Sequence, residues 1–280
     1  GTPGRLIQGL SCDAVDVAAA RKLVRERGLN GTVTISHHAG TSLPYADNVV
    51  NLLFVEERGG LAKEEIDRVL APLGEAYIKQ GETWKTHVKP WPSDIDEWTH
   101  FLHDSTNNAV ADDTRAGPPK HHQWIAAPKW ARSHDHLSTT SAVVSSAGRI
   151  FYIVDEGLTA SVALDPHWML VARDAFSGVL LWKRPITLWE GHLRNFRTGP
   201  PHLARRLVAA GDRVYVTLGY GEPVTCLDAV TGETIRTYAE TKGTLEFVCS
   251  GGVLYLVVGE GIPETVDAEK HALKREGIWH

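Results

Sequence analysis

The chain has 280 residues, of which 42% are apolar and 22% charged, so it is foldable throughout and long enough for about two domains. Its net charge is −5, from 29 basic and 34 acidic residues, which disfavours a nucleic-acid binder. The apolar runs are far shorter than the roughly 20 residues of a membrane-spanning helix. The three cysteines, Cys12, Cys226 and Cys249, form no CxxC pair, so disulfide-scaffold, cysteine-rich zinc and c-type haem classes are unsupported.

The first 80 residues alternate strand and helix patterns. Short β-rich runs at 5–10, 32–36, 49–55 and 75–78 are separated by helical patterns after Asp13 and at 63–71. Asp13 is placed to cap the first helix, and Gly28 to end it. The run at 49–55 is nearly all apolar, which predicts a strand buried on both faces. This order predicts βαβ units and a mainly parallel sheet.

Residues 84–140 are rich in Pro, Trp, His, Asp and Asn and show no sustained periodicity. Only Ser93–His103 has a helical pattern, with Ser93 as its cap. We interpret this stretch as a long ordered connector, because its tryptophans require burial, unlike the residues of flexible linkers. These tryptophans are Trp91, Trp98, Trp124 and Trp130.

From residue 141 the sequence is β-only and repeats itself. Three segments align, each with a turn glycine before a β-branched and aromatic strand: Ala147–Val154, Ala210–Thr217 and Ser250–Val257. Two of them are followed by an Asp-Ala-x-Ser/Thr-Gly element, which predicts a hairpin turn. The second and third copies start at Gly211 and Gly251, a spacing typical of one four-stranded propeller blade.

The block from Ala172 to Trp182 resembles the AxDxxxGxxxW tryptophan-docking repeat of quinoprotein-type (PQQ-like) β-propellers. The resemblance implies that Trp182 packs between neighbouring blades. The second copy keeps Asp228 and Gly232 but has Arg236 at the tryptophan position, which implies weaker packing between the blades at that point. We expect two complete blades and the start of a third, in a piece of a longer protein that holds the remaining blades; the alternative is a ring completed by assembly.

Leu43-Pro-Tyr-Ala-Asp47, the strand at 49–55 and Arg68-Val-Leu-Ala-Pro-Leu-Gly74 resemble the middle of a class I S-adenosylmethionine-dependent methyltransferase. Together the two halves resemble a bacterial family that fuses such a domain to a PQQ-like propeller. The fold class implied is a partial Rossmann-like α/β domain over 1–83, the connector over 84–140, and an all-β partial propeller of two to three blades over 141–280.

The resemblance places the cofactor site at Ser11, Asp13, Ala39 and Leu43. Ser11 stands where the ribose-binding acid belongs, Asp13 lies two residues on, and Ala39 stands where an adenine-binding Asp belongs. The Gly-rich first loop would lie before Arg5. We therefore expect no useful S-adenosylmethionine binding, since each unpaired polar group costs about 1–3 kcal/mol. The first strand of the family is missing too, so we expect the sheet to close up or leave a gap and to be less stable.

The connector holds the densest polar chemistry. On the predicted helix His100 and His103 would share a face and, with Asp104, offer ligands for a divalent metal; His134 and His136 are further candidates. One interpretation is a metal or substrate site. The other is a polar plug whose side chains satisfy the backbone of an irregular loop.

Other candidates are less specific. His37 and His38 end a strand and form either a methyltransferase base or a loop pair. Arginines near the first blade's insertion indicate either an anion site, for a ligand such as a quinone carboxylate, or a solvated face: Arg184, Arg194, Arg197, Arg205 and Arg206.

The leading functional hypothesis is a binding scaffold without activity in this chain. It has an unknown protein or small-molecule partner and no bound cofactor. A PQQ-dependent dehydrogenase and an S-adenosylmethionine-dependent methyltransferase are the alternatives, with PQQ and S-adenosylmethionine implied by resemblance only. The resemblance of the propeller also implies a bacterial cell-envelope location.

Overall fold

The computed structural model describes residues 4–57, 60–115, 117–118, 121–127, 130, 140–160, 164, 166–187 and 203–259. The protein is mostly β and divides into two compact units. The first comprises Gly1–Ser93, Lys120–Trp124 and Phe176–Val179; the second comprises Asp94–Pro119, Ile125–Ala175 and Leu180–His280. The stretch interpreted as a connector therefore contributes residues to both units.

The first unit begins with a parallel strand pair joined by a helix. β1 (Ile7–Ser11) pairs in parallel with β2 (Val33–His37), and α1 (Ala14–Glu26) connects them. The Asp13 side chain accepts two backbone N–H groups of the first turn, which confirms the predicted cap. Gly28 has φ +65°, a left-handed conformation that suits the residue following a helix.

A second parallel pair follows. β3 (Val50–Val55) and β4 (Leu70–Gln80) are parallel, α2 (Lys63–Val69) connects them, and β5 (Thr83–Val88) pairs antiparallel with β4. On one face of this sheet Ile66 of α2 packs in a small core with residues of β3 and β4, namely Val55, Leu70 and Ala76.

Two expectations for this unit are wrong, and a third agrees with the structure. The strands form two separate sheets with no described strand between β1 and β3, as expected if the missing first strand leaves a gap. β3, however, is not buried on both faces, because Leu52 and Phe54 point away from α2 and Phe54 is 62% exposed. β5 lies where the pattern indicated connector; most of its residues are exposed, so it has little apolar periodicity to detect.

The second unit consists of consecutive antiparallel strands. Sheet A contains β6 (Thr140–Ser146), β7 (Arg149–Asp155), β8 (Trp168–Asp174) and β9 (Leu180–Pro185). Sheet B contains β10 (Leu207–Ala210), β11 (Arg213–Thr217), β12 (Val224–Asp228) and β13 (Thr234–Thr237). Hairpin C contains β14 (Thr244–Ser250) and β15 (Val253–Val258). Short 3-10 helices occur at Ala204–Arg206 and Ala239–Thr241.

The predicted turn after β12 is confirmed. Asp228 Oδ1 accepts the backbone N–H groups of Val230 at 2.9 Å and Thr231 at 2.8 Å. Gly232 closes the turn with φ +72°, which a residue with a Cβ rarely adopts. The Asp and Gly of the repeat therefore have separate roles, one in hydrogen bonding and one in backbone conformation.

Trp182 joins sheets A and B. Its indole lies against Gly232, where an added Cβ would be 2.8 Å from Cε3, and its Nε1 donates to the Ala229 carbonyl at 3.0 Å. The main core is continuous across both sheets and includes Phe151, Leu170, Trp182, Leu207 and Leu227. The contact implied by the docking repeat is thus present.

The predicted helix at Ser93–His103 is wrong. Asp96 accepts backbone N–H groups from Glu97 at 2.7 Å and from Asp112 at 2.8 Å, and His100 and His103 form an isolated antiparallel bridge. His103 itself has φ +72°. Tertiary hydrogen bonds outweigh a local helical preference that is worth only tenths of a kcal/mol per residue, roughly.

One burial expectation also differs from the structure. Trp130 is 68% exposed although the connector tryptophans were expected to be buried. Among the helices described, none has the length and apolar character needed to cross a membrane.

Candidate functional site

The strap, residues 94–115, runs across the first strands of sheet A, sheet B and hairpin C. Trp98 O accepts the N–H of Ser145 at 2.7 Å, Thr99 O that of Ala209 at 3.0 Å, and His100 Nε2 that of Cys249 at 3.0 Å. Ser145, Ala209 and Cys249 each lie two residues before the first turn residue of their hairpin. Three consecutive strap residues therefore satisfy three equivalent edge groups.

A second set of contacts joins sheet A, sheet B and the strap. The Ser146 hydroxyl donates to Glu97 Oε2 at 3.2 Å and accepts the N–H of Gly211 at 3.0 Å. Glu97 Oε1 accepts the N–H of Ala147. Because Ser146 is almost fully buried, this carboxylate and hydroxyl are committed to holding the turns of the two sheets together.

His100 is held as a neutral imidazole. Its Nε2 accepts the Cys249 N–H, so the ring proton lies on Nδ1 and faces Thr99 Oγ1 at 2.7 Å. That hydroxyl in turn donates to His103 O at 3.3 Å. Burial lowers the pKa of His100, an effect that the nearby Asp104 carboxylate partly opposes. Protonation of Nε2 would remove the acceptor on which the contact with hairpin C depends.

The other strap carboxylates are also occupied. His103 Nε2 lies 2.7 Å from Asp96 Oδ2, and the His103 ring packs near Trp98 with centroids 5.4 Å apart. The backbone N–H of Asp112 holds the pKa of Asp96 below its usual range. Hydrogen bonds from Thr106 lower the pKa of Asp104 in the same way.

These contacts bear on the metal hypothesis. His100, His103 and Asp104 lie in one segment, but their ring nitrogens and carboxylate face protein donors and acceptors. Within the described ranges, no three His, Cys, Asp or Glu side chains are grouped so that they could hold a metal ion. His134 and His136 lie outside the described residues. The arrangement matches the polar-plug interpretation.

The second unit also contains a cleft of about 270 Å³. Its lining combines charged, aromatic and small residues, among them Trp130, Asp155, Glu156, Thr159 and Lys183. Lys183 Nζ and Glu156 Oε1 form an ion pair at 2.5 Å. Sequence patterns gave no sign of this cleft, because its residues come from segments far apart in the chain.

The predicted cofactor positions lie at the ends of β1 and β2. Asp13 is the cap of α1, and Ser11 Oγ accepts the backbone N–H of Asp13 at 3.1 Å. Ala39 is exposed and has no polar side chain, and the Leu43 N–H donates to Glu65 Oε1 at 2.6 Å. Ser11, Asp13 and the Leu43 backbone thus each take part in a hydrogen bond that builds local structure.

Arg68 is a residue whose role the sequence patterns did not reveal. Its guanidinium donates to Glu65, Asp47 Oδ1 and the carbonyls of Leu43 and Tyr45, at distances from 2.6 to 3.1 Å. The hydrogen bond from Arg68 lowers the pKa of Glu65 to about 2. Arg68 thereby holds the loop between β2 and β3 in place. This contact explains why the Leu43-Pro-Tyr-Ala-Asp47 loop occurs together with an arginine on α2.

The remaining candidates fall in separate places. His37 Nε2 lies 3.0 Å from Cys12 O, and His38 Nε2 is a buried atom with no partner in the described part of the chain. Arg184 donates to Gly232 O at 2.6 Å, Arg205 pairs with Glu246 at 2.6 Å, and Arg206 is buried and donates to Tyr220 O at 2.9 Å. Arg194 and Arg197 lie outside the described residues.

The likeness of this chain to known proteins is limited. No protein-family model matches the chain, and no curated protein matches it. Among solved structures, the [4+2]-cyclase SpnF is 30% identical over 28% of this chain, with a TM-score of 0.25. The matched part covers 33% of the SpnF chain.

Proposed function

We propose that this protein is a binding scaffold in which sheet A, sheet B and hairpin C are successive blades of a PQQ-like β-propeller, joined to a degenerate methyltransferase-like domain. The docking of Trp182 on the next sheet's turn glycine carries the proposal. A contact of this kind between successive sheets is expected where the sheets are arranged radially as blades. The strap contacts to equivalent strand positions support the same arrangement.

The hydrogen bonds of the polar strap side chains favour a scaffold role over catalysis. Asp96, Glu97, His100 and His103 are all used in hydrogen bonds that hold the strap to itself or to the strands. A general acid or base must instead face a substrate within hydrogen-bond reach. Asp13, committed to capping α1, likewise supports a domain that has lost its S-adenosylmethionine site.

The test is titration of the purified protein with S-adenosylmethionine by calorimetry, and with PQQ plus calcium by absorbance and dye reduction. A scaffold gives no binding of either at micromolar concentration and no dye reduction. Micromolar S-adenosylmethionine binding would contradict the degenerate domain. PQQ-dependent dye reduction would contradict the scaffold and favour a quinoprotein dehydrogenase.

A further inference from the structure

The sheet of β3, β4 and β5 has one covered face and one uncovered face. α2 covers the first, where Ile66 lies in the small core. The second, called here the aromatic face, presents the alternate residues Leu52, Phe54, Tyr77, Trp84 and Val88. Four of these side chains, all except Tyr77, are between 44% and 62% exposed. Parallel strands such as β3 and β4 are normally covered on both faces, so this face is unusual.

Three rings of the aromatic face form one continuous surface. Phe54 stacks on Tyr77, with ring centroids 5.2 Å apart and planes at 18°. The rings of Phe54 and Trp84 meet in a T-shaped arrangement, with centroids 6.1 Å apart. Apolar side chains scattered singly over a surface need no partner, whereas a contiguous apolar patch marks an interaction site. The patch therefore indicates a partner surface that is itself largely apolar.

Two charged residues of the aromatic face indicate what that partner is. Glu75 and Lys79 lie on β4, two residues before and two residues after Tyr77, so all three side chains point to the same face. Glu75 Oε2 accepts a hydrogen bond from the Tyr77 hydroxyl at 2.9 Å, and Lys79 is exposed. One end of the central strand is therefore negative and the other positive, with Tyr77 midway between them.

This order of charges is complementary to itself. When two copies face each other about a two-fold axis that crosses β4 at Tyr77, Glu75 of each copy lies opposite Lys79 of the other. In the register of β4 and β5, Glu75 pairs with Val88 and Lys79 pairs with Trp84. The same axis therefore brings Trp84 of one copy opposite Val88 of the other. A two-fold interface requires such self-complementarity, since the same patch serves both subunits.

We infer that the aromatic face is the interface of a symmetric homodimer, in which two such sheets pack face to face with their strands aligned within about 30°. The inference concerns the first unit and does not depend on the proposed propeller. A face three strands wide is small, and interfaces that bury less than about 1,200 Å² in total are mostly weak. We therefore expect a reversible dimer with a dissociation constant in the micromolar range.

The test is sedimentation velocity of the full chain at protein concentrations from about 1 to about 500 µM, which span a micromolar dissociation constant. Four variants are compared with the native protein: Glu75→Lys, Lys79→Glu, the double variant with both changes, and Lys85→Glu. The last is the control, because Lys85 is exposed and pairs with Ile78, a residue of the face that α2 covers. Lys79→Glu and Lys85→Glu change the net charge equally. Circular dichroism reports whether each variant is folded.

We expect the native protein and Lys85→Glu to dimerise alike. Each single change at Glu75 or Lys79 raises the dissociation constant at least about tenfold, because it places two like-charged pairs across the axis. The double variant restores both pairs and recovers the native constant within about threefold. A native protein that is monomeric throughout, or a dimer that the single changes leave intact, would overturn the inference. So would a double variant that is no closer to the native protein than the single ones.

Phe54→Ser tests the same face without a change in charge. It replaces an exposed ring, so the fold is expected to tolerate it, and the dissociation constant should again rise at least about tenfold. If a charge variant does not fold, this variant decides. A dissociation constant like that of the native protein would show that the aromatic face is not the interface.

Discussion

Two turn glycines of the repeat illustrate how differently similar residues are used. Gly211 and Gly232 both have positive φ, at +57° and +72°. An added Cβ meets nothing within 4 Å at Gly211, whereas at Gly232 it meets the Trp182 ring. The first position requires a conformation only, and the second also requires space for a neighbour's side chain.

We therefore expect Gly232→Ala to lower the free energy of unfolding by more than Gly211→Ala does. Both changes cost about 1 kcal/mol of backbone strain. Gly232→Ala adds about 1–3 kcal/mol because the indole must move. Urea denaturation of the two variants measures the difference. Equal losses would mean that Trp182 does not pack against this turn.

Trp182 and Trp130 form a second matched pair. Trp182 is 7% exposed and donates from Nε1, while Trp130 is largely exposed. Trp182→Ala is expected to cost about 3–5 kcal/mol, as for other buried aromatics. Trp130→Ala should change stability by less than about 0.5 kcal/mol. Thermal unfolding of both variants checks this, and a neutral Trp182→Ala would remove the main support for radially arranged sheets.

Among the elements, the loop between β2 and β3 depends on one α2 side chain. Arg68 contacts Leu43, Tyr45 and Asp47 through a fork of parallel donors. A lysine has one point charge and cannot reproduce that geometry. The loop is therefore ordered by its contact with the helix, although its own sequence contains turn-forming residues.

Arg68→Lys is expected to speed hydrogen exchange at Leu43, whose N–H bonds to Glu65, while leaving α1 unchanged. The same variant should raise the pKa of Glu65 from about 2 toward its ordinary value, because the guanidinium lowers it. In the native protein the contribution of ionised Glu65 to the free energy of unfolding is present above pH 4.5 and is lost as the pH falls toward 2. NMR titration of the Glu65 carboxyl checks both statements, and an unchanged pKa in the variant would contradict them.

At the scale of the whole molecule, His100 makes stability depend on pH. Its pKa is lowered by burial, so the unfolded chain takes up a proton at a higher pH than the folded one. The contribution of neutral His100 to the free energy of unfolding is complete above pH 6.5. It is lost as the pH falls from there through the lowered folded-state pKa. His103, Asp104 and Thr99 surround the ring; the Asp104 carboxylate opposes the lowering of the pKa, and His103 adds to it.

We expect the stability of the native protein to fall between pH 7.5 and 5, and to fall less steeply in His100→Gln, whose amide oxygen accepts the same N–H without titrating. His121→Gln, at an exposed position, serves as the control and should keep the native slope. Denaturation midpoints at several pH values measure the slopes. An unchanged slope in His100→Gln would show that another group causes the pH dependence.

Much of the β-rich unit could be predicted from the sequence because its signals are local. The repeat positions of Gly148, Gly211 and Gly251 and the Asp228 turn depend on backbone conformation within a few residues. α1 with its Asp13 cap is local in the same sense. Such features are fixed by steric and hydrogen-bonding preferences that a short peptide already has.

Tertiary structure alone decided the strap and the Arg68 contacts. Ser93–His103 has a helical pattern, yet its hydrogen bonds go to strands as far along the chain as Cys249. Sequence patterns report period and local turns, whereas these residues are placed by partners distant in the chain, whose backbone groups must be satisfied once the sheets come together.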